Sequence, residues 1–199
     1  MHDECVPESV AGVAERIGHM TSRHGLALGG GTACSLHLGH RVSRDLDFFA
    51  LRELDPSALL TEFHALGSTR LRAITGTELA LLLDDVDVFA TSLGRRPLDE
   101  PDEWRGIRVL GLDDLAELKL HAAVERGMVR DLCDLHLLCL TGADLDRALE
   151  GGRIDAVVAL KALTDPDRFA GQPALALHRR WSPAEATAYF AGVARERFG

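Results

Sequence analysis

The chain has 199 residues, 46% of them hydrophobic, enough to bury an ordinary core in one large domain or two small ones. Its formal net charge of −9 argues against a protein that coats nucleic acid by bulk electrostatics, while leaving room for a local basic groove. Four cysteines, Cys5, Cys34, Cys133 and Cys139, follow no paired secreted pattern and are expected to be reduced thiols.

In chain order, Met1-His2-Asp3-Glu4-Cys5 lacks the basic start and apolar core of a signal peptide, and no apolar run approaches a membrane-spanning length. A cytoplasmic protein without a membrane partner is expected. From Pro7 to about His24, Val10, Val13, Ala14 and Ile17 recur at helical spacing and predict a packing helix. Leu26-Ala27-Leu28 is a short strand candidate leading into Gly29-Gly30-Gly31, and the next helix is expected from Ala33 to His40. Leu46 to Leu51 reads as a strand. Asp55-Pro56 reads as a cap and first helical residue for a helix over 56 to 66, ended by Gly67. Thr69 to Thr75, Glu78 to Leu83 and Val86 to Thr91 read as strands, and Ile107 to Leu110 as a further one. Residues 94 to 106, with Pro97, Pro101 and several acids, read as an exposed connection between them.

After residue 111 the pattern becomes helical: Asp113 to Arg126, Val129 to Leu140, Asp144 to about Glu150, Arg153 to Leu163, and Pro183 to Phe198 with Ser182 as N-cap. The expected organisation is therefore an α/β core over residues 1–111 and a helical region over 112–199.

The chemistry concentrates between Gly29 and Phe49. Glycines without Cβ let backbone N–H groups approach a phosphate, and the helix that follows adds N-terminal donors and partial positive charge. Asp45 and Asp47 flank Leu46, and in an extended strand residues two apart share a face. Paired carboxylates beside an anion seat are what Mg²⁺ needs, because it binds through one or two of them and completes its shell with water and phosphate. The stretch reads as a metal-nucleotide site.

These residues carry a family resemblance. A Gly-Gly-Thr turn, a short helix, then Arg41-Val42-Ser43-Arg44-Asp45-Leu46-Asp47-Phe48 resembles the AbiEii/AbiGii-type nucleotidyltransferases, a branch of the DNA polymerase β-like superfamily that includes toxins of toxin-antitoxin pairs. Lys119 and Arg130-Asp131-Leu132-Cys133-Asp134 also look like that family. The resemblance implies an α+β fold: a polymerase β-like mixed sheet with flanking helices, followed by a helical C-terminal half. It implies catalysis by Asp45, Asp47, Asp87, Lys119 and Asp131, with Gly30, Gly31, Thr32, Arg41, Ser43 and Lys119 on the nucleotide. Asp45, Asp47 and Asp87 would hold Mg²⁺, with Mn²⁺ as the alternative. An NTP substrate, a tRNA 3′ end as acceptor and a cognate antitoxin are the implied partners.

Within that frame Asp87, inside the apolar strand Val86-Asp87-Val88-Phe89, is preferred as third carboxylate over Asp85, which has the same period-two phase. Asp84 reads as a turn residue. Lys119 has Ala116, Ala123 and Arg126 on its face, small neighbours that would leave its ammonium able to reach across a cleft. Asp131 is preferred over Asp134 for positioning it. Lys119 and Lys161 are the only lysines among 22 basic residues, so a lysine here is less readily dismissed as surface filler. Arg70, Arg72, Arg95, Arg96, Arg179 and Arg180 are candidates for acceptor contacts. Cys133, His136 and Cys139 recur every three residues but lack a fourth ligand, and Leu132, Leu135 and Leu138 make that helix face a core face rather than a zinc site. The competing functions are transfer to a small molecule such as an aminoglycoside, transfer to a protein, and a nucleotide-binding module without turnover.

Overall fold

Helical spacing of apolar residues builds α1 (Glu8–Arg23), which follows a 3₁₀ turn at Asp3–Cys5 and buries Val10, Val13, Ala14 and Ile17. The computed structural model describes residues 1–151 and 154–199. After α1 come β1 (Leu26–Leu28), α2 (Gly30–Leu38), β2 (Leu46–Ala50) and α3 (Pro56–Leu66). The Asp55 carboxylate accepts the Ser57 and Ala58 N–H groups and starts α3, with Pro56 in the first turn; Gly67 ends it. β3 (Thr69–Ile74), β4 (Glu78–Leu83), β5 (Val86–Ser92), β6 (Asp102–Trp104) and β7 (Ile107–Val109) follow.

The strands form one seven-stranded mixed sheet in the order β3-β4-β5-β2-β1-β7-β6. β2 with β5 and β1 with β7 are parallel, and the other neighbours are antiparallel. Alternation gives the sheet two unlike faces. Leu46, Phe48 and Ala50 of β2 and Val86, Val88 and Ala90 of β5 are buried, whereas Asp47, Phe49, Asp87 and Phe89 on the other face are half-buried. α1 and α3 pack on the sheet, and His24, which caps the end of the first, reaches Glu62 of the second at 2.7 Å.

The chain divides into two compact units, Met1–Gly111 and Leu112–Gly199. In the second, α4 (Leu112–Arg126), α5 (Val129–Thr141), α6 (Leu145–Glu150), α7 (Ala156–Thr164) and α8 (Pro183–Phe198) enclose Leu115, Leu132, Leu135, Leu160 and Phe190. Ser182 and Glu185 form a reciprocal capping box at the start of α8. Among the described residues no helix is long and apolar enough to cross a membrane.

Four local expectations are corrected. α2 begins at Gly30, not Ala33, so Gly30, Gly31 and Thr32 form its first turn. The stretch 94–106 is not wholly a loop: β6 pairs with β7 and sinks Trp104 to 6% exposure, its indole N–H donating to the Asp3 carboxylate at 2.7 Å. Asp85 is not in the strand phase of Asp87, because Asp84 and Asp85 are the two central residues of the β4–β5 hairpin, at φ 48° and 64°. That left-handed pair is what a tight hairpin requires, and Asp tolerates it better than most residues. The helix expected from Arg153 begins at Ala156 with Asp155 as cap, and Arg153 itself lies outside the described residues.

Candidate active site

β1, α2 and β2 build the site, and two glycines decide its shape. Gly30 has φ 61°, and a Cβ there would overlap the Asp47 carboxylate. A Cβ on Gly31 would lie 2.7 Å from Arg41 Nη2 and 3.1 Å from Ser43 Oγ. Only glycine satisfies both the backbone and the space at Gly30. The helix start is thus pressed directly onto Asp47, Arg41 and Ser43.

Backbone bonds fix this approach. Gly29 N–H donates to the Asp47 carbonyl at 2.7 Å, and the Thr32 hydroxyl donates to the Asp45 carbonyl. Thr32 is fully buried, so this bond ties the helix's first turn to the residue just before β2. Ser43 is held from outside: its N–H donates to the Cys5 carbonyl at 3.0 Å, and the side chain is nearly enclosed. Burial pushes the Cys5 thiol up, so it remains a protonated packing group beneath the loop. Gly30, Gly31, Thr32, Arg41, Ser43 and Asp47 are therefore brought together, with Asp45 at the exposed mouth.

Asp87 shares their sheet face. The parallel register pairs Leu46 with Val88 and Asp47 with Phe89, so Asp87 precedes Val88 as Asp45 precedes Leu46. Its carboxylate, however, is engaged by Arg72 at 2.6 Å. Among the described residues no three His, Cys, Asp or Glu side chains are gathered as a metal-holding group. Asp85 lies apart at the hairpin tip, 96% exposed and 3.9 Å from Arg70. The donor set nevertheless suits a hard dication: Asp45 and Asp47 offer carboxylate oxygens beside a glycine cradle that any Cβ would fill.

Lys119 is enclosed and paired. Its side chain is 7% exposed, and the ammonium lies 3.1 Å from Asp131 and 2.7 Å from Asp134. Asp131 also accepts from Arg126 at 2.9 Å. An ammonium at this depth must be paired, so small neighbours on α4 open it to the carboxylates of α5 inside its own unit. Both aspartates, not Asp131 alone, position it. The same unit ties Asp113 to Arg147 at 2.8 Å and to the Asp144 N–H.

His136 accepts the Trp181 indole N–H at 3.0 Å and lies against Tyr189 and Phe190, so with Cys133 it belongs to packing. Burial lowers the His136 pKa; Arg179 adds to that and Glu185 opposes it. The proposed acceptor arginines divide between the units: Arg70, Arg72, Arg95 and Arg96 in the first, Arg179 and Arg180 in the second. The Arg72–Asp87 pair was invisible in the sequence, where the only hint is the repeat Arg70-Leu71-Arg72.

In comparison with known proteins, residues 13–86 match the model of the family described as the nucleotidyl transferase AbiEii toxin of a Type IV toxin-antitoxin system. An uncharacterized protein of Aquifex aeolicus (strain VF5) is 34% identical over 116 residues, 56% of this chain, and the match spans only 56% of that relative's length. Among solved structures, JHP933 from Helicobacter pylori is similar over 96% of this chain and 92% of its own, with TM-score 0.62 and 18% identity. ANT(2″)-Ia, solved in complex with adenylyl-2″-tobramycin, is similar over 78% of this chain and 97% of its own, with TM-score 0.54 and 15% identity. The fold is thus the nucleotidyltransferase mixed sheet with flanking helices, followed by a helical half.

Proposed function

We propose that this chain, which carries an AbiEii-type nucleotidyltransferase domain in its first unit, moves a nucleotide from an NTP to an acceptor hydroxyl and releases pyrophosphate, acting in the cytoplasm as a toxin on tRNA 3′ ends. The observation that carries this reading is the convergence of Gly30 and Gly31 on Asp47, Arg41 and Ser43 at the start of α2. Asp45 and Asp47 would hold Mg²⁺, or Mn²⁺ in its place, with Asp87 as third carboxylate. The bound metal supplies charge neutralisation on the triphosphate and a lowered pKa for the acceptor hydroxyl.

The chain's own residues do the rest. N–H groups of Gly30, Gly31 and Thr32 cradle the β- and γ-phosphates at the positive end of α2. Arg41 forks onto phosphate oxygens, and the Ser43 hydroxyl adds a donor from a loop already pinned to Cys5. These donors are arranged before substrate arrives, so catalysis is positioning plus electrostatics. In the second unit the Lys119–Asp131–Asp134 ion pairs hold α4 against α5, and the proposed roles of Lys119 and Asp131 toward the nucleotide rest on the family resemblance. A cognate antitoxin is the proposed protein partner, in keeping with the matched family.

The test is incubation with each α-labelled NTP, Mg²⁺ and total tRNA, beside Asp45→Ala. Label on tRNA that disappears in the variant is expected. A folded, nucleotide-binding protein that leaves tRNA unlabelled would exclude the tRNA reading and direct the search to small-molecule or protein acceptors.

A further inference from the structure

A β-bulge lies between Leu71 and Ala73 of the outermost strand, where the β3–β4 register passes from Leu71↔Leu81 to Ala73↔Ala80 and leaves Arg72 unmatched. Bulges kink a strand and re-aim a side chain. On the next strand, Ala80 and Leu82 stand opposite Phe89 and Asp87 and share their face of the sheet. Ala80 is small and half-buried. The Arg72 guanidinium lies 2.6 Å from Asp87, one strand beyond its own neighbour.

Resting on the proposed function, we infer that Arg72 is the built-in counter-cation of the carboxylate face: its guanidinium holds the coordination place on Asp87 and competes with the divalent metal for it. Asp47 and Asp87 lie on one face of two adjacent strands and Asp45 directly precedes the first of them, so like charges would otherwise gather there, an arrangement that destabilises the protein. A guanidinium on Asp87 relieves that repulsion while remaining displaceable. The pair is 53% and 44% exposed, so the attraction is screened and a dication entering between the carboxylates can break it.

The prediction is read with Mn²⁺ alone, without nucleotide, by titration calorimetry or the loss of free-ion EPR signal on the full chain. Arg72→Gln is expected to bind Mn²⁺ roughly two- to fivefold more tightly than wild type, the range a screened ion pair allows. Arg70→Gln makes the same change in net charge but its arginine faces Asp85, so it should stay close to wild type. Arg72→Lys keeps the charge and should restore wild-type affinity; it is also the variant to rely on if Arg72→Gln fails to fold, since there Arg72→Lys must neither gain nor lose more than twofold. The inference is overturned if Arg72→Gln binds no more tightly than Arg70→Gln while Asp47→Asn still abolishes binding; the proposed metal site then stands. If wild-type binding survives Asp47→Asn, or no binding occurs, the proposed site and the inference fall together.

Discussion

Gly30 answers to two constraints at once, a left-handed φ and a carboxylate where a side chain would go. Gly30→Ala should therefore lose nucleotidyl transfer by at least about tenfold, at a stability cost of roughly 1–2 kcal/mol from backbone strain. Parallel rate and melting measurements separate the two: an active variant would place the cradle elsewhere. Lys119 makes the opposite prediction. Its removal leaves two buried carboxylates facing each other, so Lys119→Met should cost about 3 kcal/mol or more, seen as loss of helical signal at lower urea concentration. At this scale the sequence pointed to Asp47 as a carboxylate on the half-buried face of β2, because alternation in an apolar run needs only strand geometry, whereas Asp45 lies just before the strand. The sequence did not disclose Arg72, whose position depends on the register of three strands and one bulge. It named Asp131 as the partner of Lys119 but not Asp134 beside it or Arg126 on Asp131, since helical spacing gives the face of α4 but not how the charges on α5 meet it.

The same division between local and non-local causes runs through the elements. Helices with caps, such as α3 and α8, were legible almost to the residue because Asp55-Pro56 and Ser182-Pro183 state where they begin. β6 was not, since Asp102-Glu103-Trp104 is a strand only by pairing with β7 and by anchoring Trp104 on Asp3. The contact of α5 with α8 predicts a pH response. His136 is held below its ordinary pKa by burial, so its neutral form belongs to the folded state and the unfolded chain binds the extra proton first. Stability of the second unit should be intact above about pH 6.5 and fall as pH drops below it, with Trp181 fluorescence as reporter. Beside it, burial pushes the Cys139 thiol up to about 12 from an ordinary 9.0. Between those values the unfolded chain is deprotonated and the folded one is not, so stability should decline as pH rises through that window. The native protein should also leave Cys139 unmodified by a thiol reagent at neutral pH. Flat unfolding free energies across both windows would contradict these environments.

For the molecule as a whole, a net charge of −9 limits how an acidic protein can grip a polyanion. If tRNA is the acceptor, a focused contact through a few arginines is expected, and the slope of log affinity against log salt should be no steeper than about −3. A much steeper slope would require a broad basic surface. The sheet's free edge has a separate consequence for how the protein behaves in a crowded solution. Every residue of β3 beyond Thr69 is exposed, with Leu71 and Ile74 outward, which would ordinarily invite a second copy to extend the ladder. The bulge at Arg72 and the two arginines interrupt that template, one by breaking the regular spacing of donors and acceptors, the others by demanding hydration. Replacing both arginines by valine should make the chain associate edge to edge more strongly than wild type, detectable as concentration-dependent light scattering with the fold still intact.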